Sequence, residues 1–243
     1  AVREMEKRLL SPDFTPSKHE IVRVAESLAR RVMDFFPGDT GILSIFLLNY
    51  VKLKPLEAIF LSSNEPHAYL SGDIVEITAC SDNVVRAGCT PKFRDKSTLL
   101  NMLTYTTGFP AGFMKGDTIS HNEVEGASIT HKLYQPPIPE FQIDLFIINK
   151  TSSSSSTFTL PSIDAGSLWL ILEGEGKIQS SPSSPPSSSS VIQNGNCSSS
   201  SSPSSLEIEK GAAFFLPSGE GLVVNTECAG RLLLCRTTES AKS

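Results

Sequence analysis

The densest run of reactive side chains lies between Asn64 and Phe93. It opens with Asn64-Glu65-Pro66-His67-Ala68-Tyr69-Leu70-Ser71-Gly72-Asp73 and passes Glu76. It continues as Ser81-Asp82-Asn83-Val84-Val85-Arg86-Ala87-Gly88 and ends at Thr90-Pro91-Lys92-Phe93. His67, Tyr69 and Ser71 alternate, so on a strand they share one face. An imidazole, a phenol and a hydroxyl on one face suit the lining of a polar pocket. Asp73 to Cys80 reads as a further strand, with Val75, Ile77 and Ala79 on one side and Ile74, Glu76, Thr78 and Cys80 on the other. Glu76 can then enter the same pocket from that neighbouring strand. Arg86 and Lys92 add two cations, which suit an anionic group or a charge that develops during reaction.

Each of these residues also has a bland reading. Histidines cap turns as well as bind metals. Tyr69 could be an amphipathic core residue. Arg86 could be a surface charge paired with Asp82 or Glu76, Lys92 a solvated lysine, and Glu76 a partner for a nearby Lys or Arg. It is their clustering that favours a site. The other histidines do not extend it. His19 sits on a helix, His121 in the loop Ser120-His121-Asn122, and His131 at the opening of a strand. None has HxH or HxxxH spacing to His67, whereas a catalytic zinc takes three or more protein ligands. His67 is therefore the single metal-ligand candidate.

The elements that must position this segment are legible on either side of it. Residues 17–33 read as a helix: Ser17 and Glu20 have capping-box spacing, and Ile21, Ala25, Leu28 and Val32 form an apolar stripe. Pro37-Gly38-Asp39 marks a boundary. Ile42–Val51 and Glu57–Leu61, joined by Lys54-Pro55-Leu56, read as a hairpin. Residues 97–105 read as a short helix behind a Ser or Thr N-cap. Residues 106–130 are polar and Gly-rich, as expected of a linker or loop. Strand candidates resume after His131, at Phe141–Ile148, Ser167–Leu172, Ala212–Leu216, Leu222–Asn225 and Arg231–Cys235. Short strands separated by turn residues suggest an antiparallel sandwich or barrel.

Two serine tracts interrupt this second block. Residues 152–156 are all Ser, and residues 180–205 hold 15 Ser and 4 Pro in 26 positions. The long tract is too polar to offset the entropy of ordering and is expected to be a disordered surface insertion. A phosphorylated regulatory loop is the functional alternative.

Composition bounds the function classes. The 243 residues carry a net charge of −5, which argues against a nucleic-acid or anionic-membrane binder. No apolar run approaches the roughly 20 residues of a membrane helix. The sequence begins Ala1-Val2-Arg3 without an apolar signal core, and is expected to be a trimmed, cytoplasmic chain. Five cysteines without a CxxC pair read as reduced thiols.

NEPHAYLSGD (64–73), SDNVVRAG (81–88) and TPKF (90–93) resemble, without a gap, the active-site segment of type I mannose-6-phosphate isomerases. The resemblance extends upstream through GDTG (38–41) and LNYVKLKP (48–55). Downstream it takes in Tyr134-Gln135-Pro136-Pro137, Glu140-Phe141 and Gly211–Pro217. It implies a zinc enzyme of the cupin superfamily that interconverts mannose 6-phosphate and fructose 6-phosphate, feeding GDP-mannose synthesis and protein glycosylation. It maps the family's later metal-binding His onto His67 and its active-site Arg onto Arg86. Pocket residues fall on Tyr69, Glu76, Asp82 and Lys92, with Tyr69 and Lys92 expected to bind substrate. The remaining zinc ligands, a Gln-x-His pair and a Glu, belong to an N-terminal region that this sequence does not contain.

The implied fold is mainly β and of cupin jelly-roll type, a partial catalytic barrel plus a C-terminal jelly roll, with a short helical N-terminal segment. Residues 1–36 end a helical domain, 37–105 form the second half of the catalytic domain, 106–130 a linker, and 131–243 the C-terminal domain. The expected partner is a small phosphosugar, with no nucleic acid and no membrane, and the chain is expected to be a monomer. The competing reading is a catalytically inactive truncated cupin that serves as a sugar-binding or interaction module. One departure bears on the backbone: Leu56 stands where the family commonly has Gly, which predicts a different turn or local strain.

Overall fold

A computed structural model describes residues 1–80, 84–182, 191–193, 196–198 and 205–239. The chain divides into two compact units: Ala1–Pro55 with Phe60–Gly112, and Leu56–Ile59 with Phe113–Ser243.

The first unit is helical. It contains α1 (Val2–Leu9), α2 (Glu20–Met33), a 3-10 helix (Thr40–Phe46) and α3 (Lys96–Met102). Its core is Leu9, Ala29, Met33 and Ile42, with Met5, Phe14, Val32, Ile45 and Cys89 packed against them. The α2 stripe is rotated from the expected one. Its buried positions are Glu26, Ala29 and Met33, while Ile21 is 86% exposed. A charged residue can hold a core position here because its carboxylate is satisfied. Glu26 accepts from the Ser17 backbone N–H at 2.8 Å and from Arg8 at 2.9 Å. The Ser17 hydrogen bond is the main influence holding the Glu26 carboxyl below its usual range, against the opposing pull of burial. With Ser17 engaged in this way the capping box does not form; the N-cap of α2 is His19, which makes no side-chain cap bond.

The expected hairpin is also revised. Ile42–Phe46 lies in the 3-10 helix, whose N-cap Asp39 accepts from the Gly41 N–H at 2.7 Å. Short apolar runs fit either period, and here the cap decides. Of the second arm, only β1 (Ala58–Ile59) is a strand, and it pairs with β2 (Phe113–Met114). Between these arms Leu56 sits at φ +66, a left-handed conformation that costs an L-residue about 1–2 kcal/mol. The surroundings hold it there: Tyr134 Oη donates to the Leu56 carbonyl at 2.7 Å, and the side chain packs on a cluster of Tyr134, Leu145, Ile147, Leu233 and Cys235. At α3 the cap is Asp95, which accepts from Thr98 N at 3.0 Å, in place of the expected Ser or Thr.

The second unit is a sandwich of two antiparallel sheets. Its strands are β3 (Asp117–Val124), β4 (Ala127–Tyr134), β5 (Gln142–Lys150), β6 (Ser156–Leu160), β7 (Ser167–Glu173) and β8 (Gly176–Pro182). After these come β9 (Val191–Gln193), β10 (Asn196–Ser198), β11 (Leu206–Ile208), β12 (Ala213–Leu216), β13 (Glu220–Thr226) and β14 (Gly230–Thr238). One sheet runs β11-β8-β13-β6 and the other β12-β7-β14-β5-β4-β3, while β9 and β10 pair with each other. Alternate residues such as Phe146, Ile148, Leu160, Trp169, Ile171, Leu222, Val224 and Leu234 fill the core. Each fully buried side chain of this kind stabilises by roughly 1.5–3 kcal/mol.

Residues 106–130, expected as a linker, carry β2, β3 and the start of β4. The strand β3 is exposed at every position, so it has no apolar alternation to announce it; the two-residue turn at Glu125-Gly126, with Gly126 at φ +74, closes its hairpin with β4. His131 lies inside β4 and does not open a strand. Of the tract 180–205, expected to be a disordered insertion, residues 180–182 end β8, and β9 and β10 form a short ladder. Residues 183–190, 194–195 and 199–204 lie outside the described residues.

A charged knot crosses the sandwich core. Asp144 receives His131 Nε2 at 2.6 Å on one oxygen and Arg236 at 3.1 Å on the other. Arg236 also donates to the Pro161 carbonyl at 2.8 Å and lies over the rings of Phe146 and Trp169. Burial disfavours the Asp144 carboxylate, but the His131 hydrogen bond and the Arg236 charge outweigh it and hold its pKa below the ordinary carboxylate value. Removing Asp144 would leave a buried guanidinium uncompensated. Asp144→Ala is therefore expected to destabilise the protein by about 3–5 kcal/mol, read from the denaturant midpoint. The sign of the pH effect follows from the depressed folded pKa. The contribution of Asp144 is fully present above the unfolded value near ~3.9 and is lost as pH falls through the lower folded one. Thermal melts of wild type and Asp144→Ala should accordingly converge as pH is lowered through that window.

Candidate functional site

The first part of the reactive segment is positioned by bonds at Asn64 and Leu70 rather than by a sheet. Residues 64–80 contain no strand, so the expected strand pair, with His67, Tyr69 and Ser71 on one face and Asp73–Cys80 beside them, is not formed among the described residues. A strand is stabilised by a ladder to a neighbour, and among the described residues none pairs with this segment. The start of the segment is held by Asn64, a residue type that tolerates its φ of +63, and whose carbonyl accepts from Thr104 N. Further along, Arg31 on α2 donates to the Leu70 carbonyl at 2.6 Å.

Around these anchors three of the expected residues come together. The His67 and Tyr69 rings lie 5.8 Å apart between centroids and are tilted by 50°. Tyr69 Oη donates to Glu76 Oε1 at 2.6 Å. Burial first, then the hydrogen bond and negative charge of Glu76, push the Tyr69 phenol up to about 12. Tyr69 therefore stays protonated and acts as a donor over the physiological range. His67 Nδ1 lies 2.9 Å from the Glu65 carbonyl oxygen. A carbonyl only accepts, so in the neutral ring this contact places the proton on Nδ1 and leaves the lone pair on Nε2. That tautomer is the one a metal-ligating imidazole needs, with the backbone carbonyl orienting the ring.

The other expected residues are not drawn into this trio. The Lys92 side chain is exposed, and its backbone N–H bonds the Thr90 hydroxyl at 3.1 Å. Arg86 is half-buried, a few residues before a tight backbone crossing between Gly41 and Gly88. Ser71 is exposed beside Gly72. Asp82 lies outside the described residues. Among the described residues, no group of three His, Cys, Asp or Glu side chains is placed to hold a metal ion. His67 thus fits a zinc ligand by its tautomer and its neighbours, but the described residues do not complete a ligand set.

A cleft of about 420 Å³ in the second unit is lined by Lys150, Glu175, Lys210, Thr226, Cys228 and Arg231 among others, and by none of the expected site residues. Several of its polar groups are already bonded within the protein. Lys150 Nζ donates to the Ser154 and Thr226 carbonyls, Arg231 pairs with Glu173, and Cys228 donates to Glu175 at 2.8 Å. That last bond raises the thiol pKa, so Cys228 is a poor nucleophile.

The residues that sequence reasoning missed are those that fix the loop after Arg86: Asp39, Gly41, Gly88 and Arg94. Arg94 meets both Asp39 oxygens, at 3.1 and 3.0 Å. For Asp39 and Gly41 the signal is the short Gly38-Asp39-Thr40-Gly41 motif of the family resemblance.

No family model matches the chain. Among curated proteins, a probable mannose-6-phosphate isomerase of Echinococcus multilocularis is 47% identical over 161 residues, 66% of this chain and 36% of that protein. Mannose-6-phosphate isomerase 2 of Arabidopsis thaliana is 40% identical over 182 residues, 75% of this chain and 37% of that protein. The chain spans little more than a third of the length of these relatives. A solved structure of a mutant phosphomannose isomerase from Salmonella typhimurium matches with a TM-score of 0.59 and 22% identity over 99% of this chain and 49% of that one. A zinc-bound mannose 6-phosphate isomerase matches with a TM-score of 0.58 and 21% identity, over 99% and 49%. At such identities the solved structures establish the fold, which is mainly β and of cupin type.

The Tyr69 contact generates a prediction. Ultraviolet titration of phenolate should show one tyrosine ionising near 12. Glu76→Gln should bring it part of the way back toward the ordinary value near ~10, because desolvation, the larger cause, remains. An unchanged titration would mean that the two side chains do not meet.

Proposed function

We propose that this chain, which matches a portion of the type I mannose-6-phosphate isomerases in sequence and in fold, supplies part of the active site of a zinc-dependent aldose–ketose isomerase. Its substrates are mannose 6-phosphate and fructose 6-phosphate. The supporting observation is the grouping of His67, Tyr69 and Glu76, with His67 Nδ1 against the Glu65 carbonyl.

Isomerisation moves a proton between C1 and C2 of an open-chain sugar, so it needs a proton carrier and a means of stabilising the enediolate. Bound zinc would supply Lewis-acid polarisation of sugar oxygens. His67 would be a ligand of that metal, with the Glu65 carbonyl orienting its ring. Tyr69, kept protonated, donates to a sugar hydroxyl or to Glu76. Arg86 stabilises the developing oxyanion or orients hydroxyls. Lys92 neutralises the phosphate dianion. The other zinc ligands come from polypeptide beyond this sequence, consistent with relatives nearly three times the length matched. The family resemblance extends the reading to a cytoplasmic monomer whose product feeds GDP-mannose synthesis and protein glycosylation.

A second reading, a catalytically inactive sugar-binding or interaction module, is favoured by the lack of a complete metal cluster among the described residues. Two measurements separate the readings. Purified 243-residue protein should bind zinc weakly and turn over little in a coupled isomerase assay; full turnover would show that no further ligands are needed. In a polypeptide that also carries the upstream region, metal analysis should show His67→Ala without retained zinc. Turnover there supports the isomerase, and phosphosugar binding without turnover supports the module.

A further inference from the structure

We infer that Asp39 is a positioning residue for Arg86, holding the loop that carries the guanidinium. This rests on the reading of Arg86 as an active-site residue. Asp39 lies at the start of the 3-10 helix, far in sequence from Arg86. Its carboxylate nevertheless ties the two segments together. One oxygen accepts from the Gly41 N–H at 2.7 Å, and both accept from Arg94, at 3.1 and 3.0 Å. The Cys89 backbone N–H is also directed at this carboxylate. Arg94 and Cys89 bracket the stretch that follows Arg86, so one side chain holds the chain at both places.

The glycines make this contact possible. A Cβ on Gly41 would lie 2.8 Å from Cys89 N and from Gly88 Cα, and a Cβ on Gly88 would lie 2.6 Å from Gly41 Cα. Two backbones therefore touch directly, two residues after Arg86. Such a crossing leaves no room for a side chain at either position, and a carboxylate at its edge collects the amides that it exposes. Asp39 is largely buried, with its side chain 12% exposed, so these bonds are only weakly in competition with water. The Asp39 pKa lies below its ordinary value despite desolvation, because the Gly41 and Cys89 amides and Arg94 all favour the carboxylate.

Asp39 touches no reacting atom in this account. It acts by fixing the backbone from which Arg86 projects, and a displacement of about 1 Å at a catalytic group can cost roughly 10²-fold in rate. Asp39→Asn keeps the size and weakens the bonds. Arg94→Gln is a milder variant that leaves the amide contacts in place.

The test has two readings. In the 243-residue protein, Asp39→Asn should speed hydrogen exchange at Gly88 and Cys89 at least about tenfold, and lower the backbone order parameter of Arg86 from rigid values near ~0.85 toward ~0.6. Arg94→Gln should do the same to a smaller degree, and Trp169 in the other unit should not change. In the isomerase assay of a polypeptide that also carries the upstream region, Asp39→Asn should lower kcat by at least about tenfold with KM nearly unchanged. The Asp39→Asn/Arg86→Ala double variant should be no slower than Arg86→Ala alone. An Arg86 amide that stays rigid in both single variants overturns the inference, as does a double variant slowed by the product of the two losses. Arg86→Ala with full turnover instead removes the active-site reading of Arg86, an outcome distinguishable because the exchange data are read without activity.

Discussion

A single carboxylate, Asp144, organises the larger unit. It sits on a strand whose neighbours on either side supply its two side-chain partners, His131 from β4 and the Arg236 guanidinium from β14. Arg236 then reaches to the Pro161 carbonyl, just beyond the end of β6 in the facing sheet. The rings of His131, Phe146, Trp169 and Phe214 stack in a row beside this knot. A wholly apolar core could fill the same volume in several arrangements. The paired charges cannot, because any other register would strand one of them without a partner.

The smaller unit uses the same device twice on a lesser scale. Glu26 and Asp39 are both acidic groups at or near core positions, each held by one arginine and by backbone amides. The Glu26 amide comes from the stretch before α2, and those of Asp39 from Gly41 in the first turn of the 3-10 helix and from Cys89 in the loop after Arg86. Carboxylates here do the work of a ladder, tying down chain that neither helix nor sheet secures.

The sequence made parts of this structure legible and hid others, for identifiable reasons. Strands β7, β12 and β13 could be read from alternation that records burial on one face, and β5 and β14 from continuous apolar runs that are buried on both faces. Strand β3 could not, since an exposed edge strand carries no apolar pattern. The α2 stripe was misplaced by one position because Glu26, a charged residue, belongs to the buried face. The strain at Leu56 was visible as a departure from glycine in the motif. The grouping of His67, Tyr69 and Glu76 was anticipated, but from a strand geometry that is absent among the described residues; the segment reaches the grouping through an irregular path with Ile74 largely exposed. Alternation tells which side of a strand would be buried, yet it cannot supply the neighbouring strand that makes the burial real. The Asp39–Arg94 bond left no pattern beyond the short Gly38-Asp39-Thr40-Gly41 motif, since a contact across 55 residues has no period.

The path of the backbone between the two units has a consequence for synthesis. Leu56–Ile59 belongs to the larger unit, although the chain then returns to the smaller one for residues 60–112. This short apolar piece leaves the ribosome before every strand it rests on. Its last partner, Cys235, is made far later. At about 5–20 residues per second, that interval lasts on the order of ten seconds or more. For that time the turn at Leu56 is a nascent segment without its cover, and only the arrival of β14 seals it.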